Sequence, residues 1–137
     1  MPTVIDILEQ LESNNSRLFK EELLQTQNNN ELLKQIFVAV GDPYTNFYVN
    51  KFKMPRLLET STVTDNGAVM AFLHFLQNDL STRKITGNAA KAAVEKFFAG
   101  LDSRQAKWCQ RILLKNLRCG VQATTVNKIW PGAVVGF

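Results

Sequence analysis

The sequence predicts an all-α protein, a compact single domain of about six to eight helices packed in pairs. Three observations predict it. Apolar residues recur at intervals of three and four in most segments, as in Val69, Phe72, Leu73, Leu76 and Leu80, which is the period of one helix face. Ser, Thr or Asn precedes several of these runs, in the position that caps a helix start. The stretch that alternates most like a strand, residues 44–63, is broken by Pro55, which a central strand does not accept.

The elements follow in order. Residues 3–13 form a first helix, with Thr3 as cap and Ile5, Leu8 and Leu11 inward. Ser16 caps a second helix through about Gln27, carrying Leu18, Phe19, Leu23 and Leu24. Asn30 caps a third with an apolar stripe of Leu33, Ile36, Phe37 and Val40, stopped by Gly41-Asp42-Pro43. Residues 44–63 read as an extended or short-helical connector anchored by Tyr44, Phe47, Tyr48 and Phe52, with Lys51, Lys53 and Arg56 as wet-loop cations. Thr64 caps a strong helix through about Leu80. It carries His74, the sole histidine, which has no visible partner for metal binding or catalysis and reads as structural. An Ala-rich helix then runs through about Ala99, its Ala89, Ala90, Ala92 and Ala93 allowing close approach of another helix.

The last part is the most informative. Arg104, Lys107, Arg111, Lys115 and Arg118 are spaced three, four, four and three apart, so they should line one helical face. Ala106, Cys109, Leu113 and Leu117 fall opposite. Gly120 reads as the stop signal. Thr124 and Thr125 can cap a shorter helix that halts at Pro131. Residues 81–88, STRKITGN, repeat the same logic upstream: cations, a turn containing Gly87, then a helix start that Asn88 can cap, with Lys91 on its first turn. Helix starts expose unpaired N–H groups and a partial positive charge, which suit phosphates. Both stretches therefore read as grips for a nucleic-acid backbone.

The bulk composition agrees. A length of 137 residues suits one domain, and 45% hydrophobic with 20% charged residues argues against disorder. Residues 1–82 hold six Lys and Arg against ten Asp and Glu, whereas residues 83–137 hold ten against two. That asymmetry points to an acidic partner for the C-terminal half. Cys109 and Cys119 read as reduced thiols. The N-terminus lacks the basic region of a signal peptide, and no apolar run is long enough to span a membrane. Lys91, Val94, Phe97 and Phe98 have the spacing of sliding-clamp peptides, with Lys where Gln usually begins the box, although Phe97 and Phe98 read more simply as core. After Pro131 the helical pattern ends, so residues 1–131 form the domain and 132–137 the start of a linker.

RKITGNAAKAAVEKF and RILLKNLRCGVQATTVNKIWPG, with NELLKQIF near residue 30, resemble the N-terminal DNA-binding domain of ATP-dependent DNA ligases, most closely the replicative ligases of tailed bacteriophages. The resemblance implies an all-helical domain on the minor-groove side of nicked duplex DNA. It would help a nucleotidyltransferase domain and an OB-fold domain encircle the duplex for nick sealing in replication and repair. The matching turns carry over Arg83, Lys84, Thr86, Gly87, Asn88 and Lys91, then Lys115, Arg118, Gly120, Thr124, Thr125 and Lys128. Arg111 joins them from the stripe. The Lys-x-Asp-Gly motif of the catalytic lysine is absent, as is a Walker-type G-x-x-x-x-G-K. The resemblance thus implies that ATP and Mg2+ serve the full-length enzyme, that this chain binds DNA without adenylating or sealing it, and that it is cytoplasmic. Two rivals are a helix-turn-helix regulator reading bases through TTVNKIW and a clamp-binding adaptor.

Overall fold

The computed structural model describes residues 2–134. Seven α-helices lie among them: α1 (Val4–Ser13), α2 (Arg17–Thr26), α3 (Glu31–Gly41), α4 (Asp65–Phe75), α5 (Gly87–Ala99), α6 (Ser103–Leu113) and α7 (Ala123–Ile129). A π-helical turn, Leu76–Leu80, continues α4 directly. The described residues form no strand, and one isolated bridge pairs Leu58 with Asp102.

Local chemistry sets most helix starts. Thr3, Ser16, Asn30 and Thr64 each accept the backbone N–H three residues on, from Asp6 (3.2 Å), Phe19 (3.2 Å), Leu33 (3.1 Å) and Gly67 (3.0 Å). Asp102 does the same for α6, accepting from Gln105 N–H at 2.9 Å in a reciprocal capping box. Each such cap is worth about 1 kcal/mol.

Packing centres on α4, against which α1, α3 and α6 lie, while α2 lies on α7. Ile5, Leu8 and Leu11, then Leu33, Ile36 and Phe37, then Val69, Phe72, Leu73, Leu76 and Leu80 are buried. On α6, Ala106, Cys109 and Leu113 are buried, as is Leu117 beyond its end, and Trp108 joins them with no exposed surface. Val40 is only partly buried. Leu18 is 64% exposed, because α2 turns Lys20 and Leu24 inward instead.

The connector forms no helix. Phe47 is buried and Phe52 stacks on Phe98 at 5.2 Å, but Tyr44 and Tyr48 point outward and are not anchors. His74 is exposed on α4 rather than enclosed by apolar neighbours. Phe98 is fully buried, and Phe97 meets Phe72 edge-on at 5.0 Å, so both belong to the core. Of the Ala-rich face, Ala90 is buried. Residues 132–134 fold back: the Asn127 amide donates to Val134 O at 3.1 Å and accepts Val134 N–H at 2.9 Å. The rest of the expected linker, 135–137, lies outside the described residues.

The starts of α1, α4 and α6 meet in a polar cluster. Arg104 reaches Asp6 and Glu9, each at 2.7 Å, and Asp65 at 3.4 Å. Lys107 and Arg111 both reach Glu12. The N–H of Thr3, then Arg104, hold Asp6 below the usual carboxylate range, and Arg111 leads in lowering Glu12. A depressed carboxylate stabilises the fold above its ordinary pKa, and that stability disappears as pH falls through the folded value. The melting temperature should therefore drop between about pH 5 and pH 3. The double variant Asp6→Asn/Glu12→Gln should flatten that drop in calorimetry, and a pH profile identical to that of the unaltered chain would rule the cluster out as its source.

Candidate nucleic-acid interface

Five of the seven helices in the described residues begin on a side-chain cap. The two without one are α5 and α7, which also lack an acid in the first turn. These are the helices that follow the two basic turns.

The first turn runs from Ser81 to Lys91. Arg83 adopts a left-handed backbone (φ 58°), and its guanidinium carbon lies 4.3 Å from the Tyr48 ring centroid. Lys84 is exposed and 3.8 Å from Asp79, a loose pair. Thr86, rather than Asn88, occupies the N-cap position, and its side chain makes no capping bond. Gly87 has φ +60°, and a Cβ built on it would have nothing within 4 Å. Thr86, Gly87, Asn88 and Lys91 are all exposed. The backbone of α5's first turn is thus open to a phosphate, with cations on either side.

The second turn departs from the expected stripe. α6 ends at Leu113, so Lys115 and Arg118 are not on its face. The end is a Schellman motif: Asn116 N–H donates to Arg111 O at 2.9 Å and Lys115 N–H to Ile112 O at 3.0 Å. Lys115 itself takes the left-handed position at φ 58°. Gly120 comes later and does not end the helix. The cations before Arg118 are committed internally. Arg104, Lys107 and Arg111 pair with acids of α1, and Arg111 also donates to Leu117 O at 3.1 Å and lies 4.7 Å from the Trp108 ring centroid. The Lys115 ammonium donates to the carbonyls of Asp42 and Thr45. Part of the charge asymmetry is therefore answered within the chain. Charge reversal at Arg111 and Lys115 should loosen the fold itself.

What remains outward is specific. Arg118 (φ 55°) is exposed, with no side-chain partner among the described residues. Beneath it the buried Lys20 donates to Cys119 O at 2.9 Å. A trans peptide aims C=O and the following N–H in opposite directions. Drawing the Leu117 and Cys119 carbonyls onto Arg111 and Lys20 therefore turns the N–H groups of Arg118 and Gly120 away from those cations. Neither N–H has an acceptor among the described residues. Outward N–H groups without an internal acceptor are donors open to an anion. The cap position of α7 is Gln122, so Thr124 and Thr125 fall inside its first turn, and Thr125 is buried. Lys128 is exposed and 3.2 Å from Glu21.

The two turns border one loop, residues 42–48, through Tyr48 on one side and Asp42 and Thr45 on the other. Sequence patterning missed this loop and the inward Lys20. It also missed the Asp102 cap, although Asp102 three residues before Gln105 is a visible capping-box spacing. Burial pushes the thiols of Cys109 and Cys119 up. No group of three or more His, Cys, Asp and Glu side chains among the described residues could hold a metal ion. No described helix is long and apolar enough to cross a membrane.

The fold and its two turns define an all-helical domain that can meet phosphates through backbone N–H groups and arginines. The chain is 28% identical over 135 residues to the DNA ligases of Enterobacteria phages T4 and T6, across 96% of this chain and 26% of each relative. The solved structures Pmar-Lig_PreS3 and Pmar-Lig_Pre. superpose on 94% of the chain with TM-scores of 0.77 and 0.78 at 26% and 25% identity, each over 29% of its own length. No family model matches. The chain is thus similar to these phage DNA ligases, and its fold fits the N-terminal domain of a phage ligase. It spans about a quarter of their length.

Proposed function

We propose that the chain is the DNA-binding domain of an ATP-dependent DNA ligase, gripping nicked duplex DNA by its phosphate backbone and minor-groove side without reading sequence. One observation carries the reading. The two helix starts without caps or acids each adjoin an exposed left-handed arginine and a left-handed glycine, Arg83 with Gly87 and Arg118 with Gly120. That arrangement supplies cations and N–H donors to phosphate and offers little to base edges. Arg83, Lys84, Thr86, Gly87, Asn88, Lys91, Arg118, Gly120, Thr124 and Lys128 make the contacts, while Arg111, Lys115 and Thr125 hold the second turn. An operator-reading role is disfavoured, because Asn127 on α7 is bound to Val134 and Lys128 reaches Glu21.

In the whole enzyme this domain holds the duplex while a nucleotidyltransferase and an OB-fold domain close around it, in the cytoplasm of the host cell. ATP and Mg2+ chemistry belongs to those domains, and no step is assigned to them in this chain. Fluorescence anisotropy on nicked duplex, intact duplex and single strand, across a salt series, tests the reading. Duplex binding should ignore sequence and weaken with salt at a log–log slope of about −0.9 per phosphate contact. Absence of binding to any of the three at low salt would refute it and redirect the basic turns toward an acidic protein such as a sliding clamp.

A further inference from the structure

The loop between the two basic turns carries an aromatic side chain that the fold leaves uncovered. Tyr44 is 82% exposed. Tyrosine, an apolar ring with a polar tip, is enriched where proteins meet a partner. The loop beneath it is fixed. Tyr44 N–H donates to Asp42 Oδ1 at 2.9 Å, and the Thr45 hydroxyl donates to Asp42 Oδ2 at 2.6 Å. Lys115 bridges the carbonyls of Asp42 and Thr45, and Phe47 is sunk in the core. The one acid in the loop is directed into it, its carboxyl held low first by Thr45 and then by the Tyr44 N–H. Little ordering entropy remains to be lost on binding.

The surroundings select the occupant. Arg83 and Lys84 lie on the turn that touches this loop at Tyr48, and Arg118 lies on the turn that touches it at Asp42 and Thr45. A ligand that satisfies both turns is polyanionic and passes over the loop. We propose that Tyr44 is a third point of DNA contact, its ring packed on the sugar–phosphate wall of the duplex between the phosphates held by the two turns. The proposal rests on the DNA-binding reading above. Packing a ring against deoxyribose removes apolar area from water on both sides and involves no cation. It therefore adds affinity that salt does not screen.

The test uses the 137-residue chain with Tyr44→Ala and Tyr44→Phe, read by anisotropy on nicked duplex across a salt series and by thermal melting. Tyr44→Ala should weaken duplex binding about tenfold, the order expected for one aromatic contact. Its log–log salt slope and melting temperature should match the unaltered chain, and Tyr44→Phe should bind nearly as that chain does. Equal binding by Tyr44→Ala, when the unaltered chain does bind duplex, would overturn this inference and leave the DNA-binding reading intact. A lowered melting temperature that accounts for the loss would overturn it too, by making the ring structural. If the unaltered chain binds no DNA, the broader reading falls first and this one with it.

Discussion

Arg83→Glu/Arg118→Glu should bind nicked duplex at least about a hundredfold more weakly than the unaltered chain. Each hydrogen bond to a charged group is worth about 1.5–3 kcal/mol, and tenfold in affinity is about 1.4 kcal/mol. Losing two such contacts accounts for that drop before repulsion is added. The log–log salt slope should become shallower by about two contacts' worth, near 1.8 in magnitude. Folding should survive. Arg83 loses only a stacking contact with Tyr48, worth about 0.5–1 kcal/mol, and Arg118 has no side-chain partner to lose among the described residues. Anisotropy and circular dichroism on the same preparation read both effects. A folded variant with an unchanged slope would mean that neither arginine meets a phosphate. The contrast with Arg111 and Lys115 is physical: those cations hold Glu12, Leu117, Asp42 and Thr45, so their reversal attacks the scaffold.

The same contrast explains how much could be read from sequence. Thr3, Ser16, Asn30 and Thr64 were legible as caps because a cap acts within three residues. The stripe Val69, Phe72, Leu73, Leu76 and Leu80 was legible because burial follows the helical period even where α4 passes into a π-turn. The two basic turns were visible for a similar reason, since cation, glycine and helix start are adjacent in the chain. What stayed hidden depends on distant partners. Nothing near Arg104 announces Asp6 and Glu9. α6 ends before the Gly120 signal because Lys115, a residue without glycine's freedom, takes the left-handed position. It is held there by a Schellman motif and by the carbonyls of residues 42 and 45. Lys20 reads as a surface lysine on α2 until the Cys119 carbonyl, 99 residues later, arrives to accept its hydrogen bond. Tyr44 and Tyr48 read as anchors of the connector because they are aromatic, yet of the three rings Tyr44, Phe47 and Tyr48 only Phe47 turns inward.

Gly120→Ala should cost about 2–4 kcal/mol of stability, read as a shift in the urea midpoint. Two penalties combine. The backbone lies at φ +74°, where an added Cβ is strained by about 1–2 kcal/mol. That Cβ would also lie 2.2 Å from the Lys20 ammonium, a distance no real contact shows. The ammonium, at the end of a flexible side chain, must then shift, which weakens its buried bond to Cys119 O. Gly87→Ala separates the terms. Its φ of +60° carries similar strain but its Cβ meets open space, so only about 1–2 kcal/mol should be lost. There the added methyl stands where a phosphate would approach, and DNA affinity should fall more than stability. A double-mutant cycle isolates the second penalty at Gly120. Lys20→Ala removes the clashing group, so Gly120→Ala should cost less in that background, by about 1 kcal/mol or more. Additive costs would mean that the glycine answers to backbone conformation alone and that the ammonium is not what it makes room for. A clear coupling would identify the pair as one device: a buried cation drawn against a turn that only glycine lets it reach, holding the Cys119 carbonyl inward and the Gly120 N–H toward the ligand.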